Sequence, residues 1–206
     1  MRIKICGITN IDDAQNAVSL GASALGFIFA ENSPRYITPE KAEEICMFMP
    51  PFVQLVGVFV NEKKEVINKI AEQCKLNLIQ LHGNEEPGFC LNINRKVIKT
   101  FKLTTEEDLK LIPQYQGVVS AILLDTKVEG KDGGTGQVFD WGLALKAKES
   151  FDIPVILAGG INISNIKKAV QLVNPYAIDI STGVESEPGQ KDYNKIKELI
   201  TVAKDL

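Results

Sequence analysis

Cys6 is followed directly by Gly7, the first of several places where a short apolar run stops on a residue able to do chemistry. A thiolate is a competent base or nucleophile, and a glycine beside it leaves the sulfur accessible. The run Ala121-Ile122-Leu123-Leu124 stops on Asp125, where a carboxylate must be solvated, paired or functional. Arg35 lies in Ser33-Pro34-Arg35-Tyr36, and an arginine in such a turn offers two parallel N–H donors to a carboxylate. His82, the sole histidine, stands before Gly83 and suits acid–base work near neutral pH. Each residue has a plainer reading when taken alone: a buried thiol, a cap, a surface cation, a structural hydrogen bond. Cys46, Cys74 and Cys90 read as small buried hydrophobes.

Two more run ends suit an anion. Leu157-Ala158-Gly159-Gly160 and Ile180-Ser181-Thr182-Gly183 each place glycine where backbone N–H groups can approach a ligand closely. Either loop alone is explained by a tight turn. Together, after the last two strands of a parallel barrel, Gly159, Gly160, Ser181, Thr182 and Gly183 form a phosphate-binding set. Amides and dipoles would do the binding, so no lysine is needed there.

These residues require a scaffold that brings run ends to one place. Eight runs rich in Val, Ile, Leu and Phe fit strands: Ile3–Cys6, Ala24–Phe29, Gln54–Val60, Leu78–Leu81, Val97–Thr100, Ala121–Asp125, Pro154–Ala158 and Ala177–Ser181. Helical stripes separate them, such as Val66, Ile67, Ile70 and Ala71, then Ile166, Ala169, Val170 and Val173, then Tyr193, Ile196, Leu199, Ile200 and Ala203. The helix within Leu81–Arg95 is poorly marked. Eight units in 206 residues leave roughly 25 residues each, enough for a compact single-domain (β/α)8 TIM barrel over residues 1–206. An open doubly wound sheet is the alternative, but eight consecutive units favour closure. In such barrels the active site lies at the C-terminal strand ends, where every residue above falls. Lys4 and Asp179 each lie two residues before a site residue, on strands that would be neighbours in a closed barrel. They should face inward and pair, since an unpaired buried lysine is expensive. Lys4 should also favour the Cys6 thiolate. The glycine-rich stretch Lys127–Gln137 after Asp125 suits a lid whose closure would bury that carboxyl and raise its pKa.

Composition narrows the classes. With 45% hydrophobic and 24% charged residues, the chain is globular rather than disordered. A net charge of -3 with dispersed cations argues against nucleic acid and anionic membranes as partners. No apolar stretch fits a signal peptide or a membrane span, so a cytoplasmic protein is expected. The four cysteines lack a CxxC pair and only one histidine is present, so no metal site is expected.

The ordered motifs resemble the phosphoribosylanthranilate isomerase family. They are Lys4-Ile5-Cys6-Gly7-Ile8-Thr9, Gly26-Phe27-Ile28-Phe29 with Ser33-Pro34-Arg35-Tyr36, Gly57-Val58-Phe59-Val60, Gln80-Leu81-His82-Gly83 and Leu124-Asp125. Gly133-Gly134-Thr135-Gly136 with Phe139-Asp140-Trp141, Leu157-Ala158-Gly159-Gly160, and Ser181-Thr182-Gly183-Val184-Glu185 with Pro188-Gly189 complete the set. Thr182 stands where the family often has serine, and Ile161 where leucine is common. The resemblance implies an Amadori rearrangement in tryptophan biosynthesis, with no cofactor and no metal. It implies Cys6 as general base, Asp125 as general acid and Arg35 on the anthranilate carboxylate. His82 and Asp179 are further substrate-binding candidates. The partner would be a small phosphorylated substrate, and the chain a monomer or homodimer.

Three other readings compete. A histidine-pathway barrel isomerase resembles a pair of Asp at strands one and five, but here those strands end at Cys6 and near Thr100. A metal-dependent pentulose-phosphate epimerase would need several histidines. A non-catalytic metabolite-binding barrel would not need Cys6 and Asp125 together.

Overall fold

The computed structural model describes residues 1–125, 141–204 and 206. Eight parallel strands close a barrel in sequence order. They are β1 (Arg2–Cys6), β2 (Ala24–Ile28), β3 (Gln54–Phe59), β4 (Leu78–Leu81), β5 (Lys96–Lys102), β6 (Ala121–Asp125), β7 (Val155–Leu157) and β8 (Ala177–Ile180). Closure is made by β8 on β1, with Lys4 opposite Asp179. The expected (β/α)8 barrel is therefore the observed fold.

Strand alternation sorts the side chains into two cores. Outward residues such as Ile5, Leu25, Phe27, Ile79 and Leu124 pack under the helices. Inward residues Val56, Ile98, Leu123 and Ile156 make a smaller core inside the barrel. The surrounding helices are α1 (Ile11–Leu20), α2 (Pro39–Met47), α3 (Lys64–Gln73), α4 (Pro87–Cys90), α5 (Trp141–Ser150), α6 (Ile166–Val173) and α7 (Tyr193–Lys204). The stripes on α3, α6 and α7 are buried as expected, apart from Val66 and Tyr193, which are exposed.

Two units depart from strand-plus-α-helix. In the fourth, where the helical signal is poor, α4 is a single turn, with Gly88 inside it. Glycine costs more backbone entropy in a helix than any other ordinary residue, so little extends that turn. In the fifth, residues Glu106–Tyr115 form a 3-10 helix, with Pro113 unable to donate a backbone hydrogen bond. A third feature has no counterpart in the sequence pattern: a hairpin of β9 (Glu185–Glu187) and β10 (Gln190–Lys191) between β8 and α7. The stretch Lys127–Gln137, expected to form a lid, lies outside the described residues, as do Gly133-Gly134-Thr135-Gly136 and Phe139-Asp140.

Candidate active site

At the C-terminal ends of the strands is a cavity of about 240 Å3. Cys6 reaches it from β1, Arg35 from the loop after β2, His82 from the end of β4 and Asp125 from the end of β6. Gly159 and Gly160 contribute from the loop after β7, and Asp179, Ser181 and Thr182 from β8 and its loop. The closed register thus gathers residues scattered over almost the whole sequence. Of the site candidates only Gly183 is absent from the lining.

The floor on the β1 side is ionic. Lys4 Nζ donates to Asp179 Oδ1 at 2.9 Å and to Gln80 Oε1 at 2.8 Å, all three residues being buried. Lys4 and Asp179 therefore pair inside the barrel as the alternation requires. Burial is the largest single influence on Lys4 and would lower its pKa. The charge and hydrogen bond of Asp179, joined by those of Cys6 when it ionises, outweigh it and raise the pKa, so Lys4 is held as an ammonium beside Asp179. Cys6 answers differently from expectation. Burial pushes its thiol up and Asp179 adds to that, so the opposing pull of Lys4 does not bring the thiol below its ordinary value. Gly26 makes room for this corner. A Cβ there would stand 2.7 Å from the Cys6 sulfur and 3.0 Å from Lys4 Cε.

On the β2 side, Arg35 already holds a carboxylate. Its Nε donates to Glu185 Oε1 at 2.8 Å and its Nη2 to Glu185 Oε2 at 2.6 Å. This partner lies 150 positions away, and nothing in the residues around Arg35 points to it. The pair uses the Nε–Nη2 edge of the guanidinium and fixes its plane. The Nη1–Nη2 edge can still make a second two-pronged contact. Glu185 Oε1 also accepts from Lys191 Nζ at 2.7 Å, and both side chains are buried. Burial acts most strongly on Glu185 and would raise its pKa, but hydrogen bonds from Arg35 and Lys191 lower it overall. Lys191 is lowered, with burial the main cause. Neither Glu185 nor Lys191 stands out in the sequence as a site residue.

On the far wall, His82 Nε2 lies 3.5 Å from Asp125 Oδ2. His82 Nδ1 lies 3.2 Å from Gln80 Nε2, which also donates to Thr100 Oγ1 at 3.3 Å. The loop carrying His82 is pinned from below. Lys99 Nζ donates to the Gly83 carbonyl at 2.7 Å and to Glu85 Oε2 at 3.2 Å, and Glu85 Oε1 accepts from the backbone N–H of Asn61 at 2.8 Å. The Gly83 N–H donates to Glu85 Oε2 at 3.0 Å, so both backbone groups of Gly83 are partnered.

The loops after β7 and β8 are shaped by their glycines. Gly159 and Gly160 have φ of 82° and 68°, a succession that side chains resist. Asn162 and Asn165 donate side-chain N–H groups to the Gly160 carbonyl at 3.1 and 2.9 Å, turning that oxygen into the loop. A Cβ on Gly183 would overlap the Ile161 carbonyl oxygen, so this glycine lets the two loops touch. That contact accounts for Gly183 without placing it on the cavity wall. Ser181 Oγ is buried with no hydrogen-bond partner among the described residues, which an incoming acceptor or donor would relieve.

A wider groove of about 490 Å3 is lined by Asn61, Glu62, Asn84, Glu85, Glu86, Gly88 and Phe89. Its charged lining residues are three glutamates, of which Glu85 is paired with Lys99, and it lies apart from the acid–base pair. Among the described residues no cluster of three His, Cys, Asp or Glu is placed to hold a metal ion. Nor is any helix among them long and apolar enough to cross a membrane.

A (β/α)8 barrel with a thiol, a carboxyl and an imidazole converging at its strand ends defines a barrel enzyme suited to acid–base chemistry. Residues 3–202 match the family model described as N-(5'phosphoribosyl)anthranilate (PRA) isomerase, and the chain belongs to that family. It is 50% identical over 204 residues to N-(5'-phosphoribosyl)anthranilate isomerase of Geobacter metallireducens, covering 99% of each chain. A crystal structure of phosphoribosyl anthranilate isomerase from Thermotoga maritima superposes with a TM-score of 0.93 at 45% identity, covering 100% of both chains. Another, of phosphoribosyl anthranilate isomerase in complex with reduced 1-(o-carboxyphenylamino)-1-deoxyribulose 5-phosphate, gives 0.90 at 42% identity, again with 100% of each covered.

Proposed function

We propose that the chain isomerises N-(5-phosphoribosyl)anthranilate to 1-(2-carboxyphenylamino)-1-deoxyribulose 5-phosphate, an Amadori rearrangement in tryptophan biosynthesis. The observation that carries the residue assignment is the convergence of Cys6, Asp125 and Arg35 on one cavity beside the Gly159–Gly160 and Ser181–Thr182 loops. A substrate with a phosphate at one end and a benzoate at the other would span such a cavity. Its phosphate meets the amides of Gly160, Ser181, Thr182 and Gly183, with Gly159 allowing close approach, and its carboxylate meets the outer edge of Arg35. His82 and Asp179 contact the sugar and amine between them.

The chemistry divides into two proton transfers made by side chains and a final tautomerisation. Asp125 gives a proton to the ribose ring oxygen as the C1–O bond breaks, and the anilinic nitrogen lone pair forms the C1=N Schiff base. The Cys6 thiolate then takes the proton from C2, its electrons forming the C1=C2 bond while the C=N pair returns to nitrogen. The enolamine becomes a ketone by proton transfer from the C2 hydroxyl to C1, and the proton Cys6 gained is released to solvent while Asp125 takes one up, which restores both groups. No redox partner is consumed, because C1 is reduced as C2 is oxidised.

Every group named lies on one chain, so the reading holds for a monomer or a homodimer. Four free thiols fit a reducing compartment, and we place the enzyme in the cytoplasm. Purified protein, treated with a chelator, should consume phosphoribosylanthranilate as followed by loss of its fluorescence. A folded protein that leaves the substrate intact would refute the assignment.

Arg35→Met should mainly raise KM, by about 10–100-fold, the scale of one lost charged hydrogen-bonded contact of ~1.5–3 kcal/mol. Glu185 would retain Lys191 as a partner, so the loop should hold, which circular dichroism can check. An unchanged KM removes Arg35 from the substrate.

A further inference from the structure

We infer that Gln80 is a positioning residue that decides which ring nitrogen of His82 carries the proton, and so keeps an N–H donor turned toward Asp125. The consequence for turnover rests on the reading of Asp125 as the general acid. The tautomer itself does not.

The chain of contacts leaves one consistent arrangement of hydrogens. Lys4 is an ammonium, which donates and cannot accept. Its Nζ stands 2.8 Å from one terminal atom of the Gln80 amide, so that atom must be the oxygen. Asp179 at 2.9 Å holds Lys4 in its charged form, so the orientation is fixed by an ion pair rather than by a weak preference. The other terminal atom is then the NH2 group, which lies 3.2 Å from His82 Nδ1 and 3.3 Å from Thr100 Oγ1. A donor facing Nδ1 requires Nδ1 to be the lone-pair nitrogen, and a neutral imidazole then has its hydrogen on Nε2. Nε2 is the atom 3.5 Å from Asp125 Oδ2. Gln80 is 1% exposed, so no solvent molecule takes over its part from bulk.

At 3.5 Å the His82–Asp125 approach is longer than a firm hydrogen bond. The tautomer still sets the sign of the dipole that Asp125 meets. With hydrogen on Nε2, the ring favours the carboxylate formed as Asp125 releases its proton to the sugar. With hydrogen on Nδ1, a lone pair would face that carboxylate and oppose the same step. Gln80 thus links the Lys4–Asp179 pair on β1 and β8 to the acid on β6, across the interior of the barrel.

Because His82 is the only histidine, the test is direct. Protein labelled with 15N in histidine gives one imidazole, whose two nitrogens report the tautomer at mildly alkaline pH. The wild type should show a protonated Nε2 and a bare Nδ1. Gln80→Glu should keep the Lys4 contact but present an acceptor to Nδ1, moving the proton there. Gln80→Met, which fills the space without polar atoms, should leave a mixture. In Gln80→Glu, where the lone pair faces Asp125 throughout, kcat should fall about tenfold, and in Gln80→Met, where some of the rings keep Nε2–H, about twofold, with KM within about twofold in both. Asp125→Asn should leave the tautomer as in the wild type, separating this readout from the role of Asp125. A wild-type proton on Nδ1, or variants of native circular dichroism with the wild-type tautomer, overturns the proposal. An altered tautomer with unchanged kcat overturns the link to Asp125.

Discussion

Asp125→Asn is expected to lower kcat by at least ~100-fold, with a smaller effect on KM. The substitution keeps the shape and polarity of the side chain at the end of β6 and removes its transferable proton. Ring opening is the step at risk, because the ribose oxygen leaves as an alkoxide unless it is protonated as the bond breaks. Substrate binding should change little, since neither the phosphate loops nor Arg35 is touched. The pH dependence identifies the form in which Asp125 works. An acid acts through its protonated population, which can only fall as pH rises, whereas the amide of the variant does not titrate. The deficit relative to wild type should therefore shrink or hold steady with rising pH. A deficit that grows with pH would mean that Asp125 serves as a carboxylate, and activity within about tenfold of wild type would remove it from the chemistry altogether.

Asp125 is legible in the sequence for a physical reason, and its neighbours show where that reason stops working. A carboxylate at the end of the apolar run 121–124 stands out because charge is costly among apolar neighbours. Lys4 and Asp179 follow from the same cost together with strand alternation, and they pair at 2.9 Å. Gln80 obeys the same spacing, two residues before His82, yet a neutral amide in an apolar run raises no comparable alarm. Only its contacts with Lys4 and His82 disclose it. Glu185 and Lys191 escape for another reason. They lie in strands of three and two residues, too short for any periodicity to register, and the contact of Glu185 with Arg35 crosses the whole fold. Gly26 looks like a weak spot in a strand until the Cys6 sulfur is seen where its side chain would be. The barrel itself is legible because eight apolar runs at regular spacing constrain topology more tightly than any one run constrains its own ends. The fourth helix is not, because its stretch holds little beyond one turn of helix to read.

Cys6→Ser should also lower kcat by at least ~100-fold, and its pH behaviour should run opposite to that of Asp125→Asn. The exchange of sulfur for oxygen is nearly isosteric, so the corner formed with Gly26 and Lys4 stays filled. What changes is the availability of an anion: a serine hydroxyl does not ionise in the range where a thiol does. Burial holds the Cys6 thiol above its ordinary pKa, with Asp179 reinforcing burial and Lys4 opposing it. The thiolate is therefore a minority form at neutral pH, and its population rises about tenfold per pH unit until the raised pKa is reached. Wild-type kcat/KM includes that factor and the serine variant lacks it, so the deficit should widen as pH rises through neutrality. Because the folded pKa is raised, the widening should continue beyond the pH at which an exposed thiol is half ionised. Taking the ratio of the two enzymes at each pH cancels ionisation of the substrate phosphate and of Asp125. A deficit that stays level with pH would show that Cys6 contributes as a neutral thiol, by packing or by donating S–H. A variant retaining activity within about tenfold of wild type would leave proton abstraction at C2 to another group. Lys191 Nζ would then be the first to examine, since burial lowers its pKa and it lies 3.4 Å from the carbonyl oxygen of Ser181 at the cavity edge.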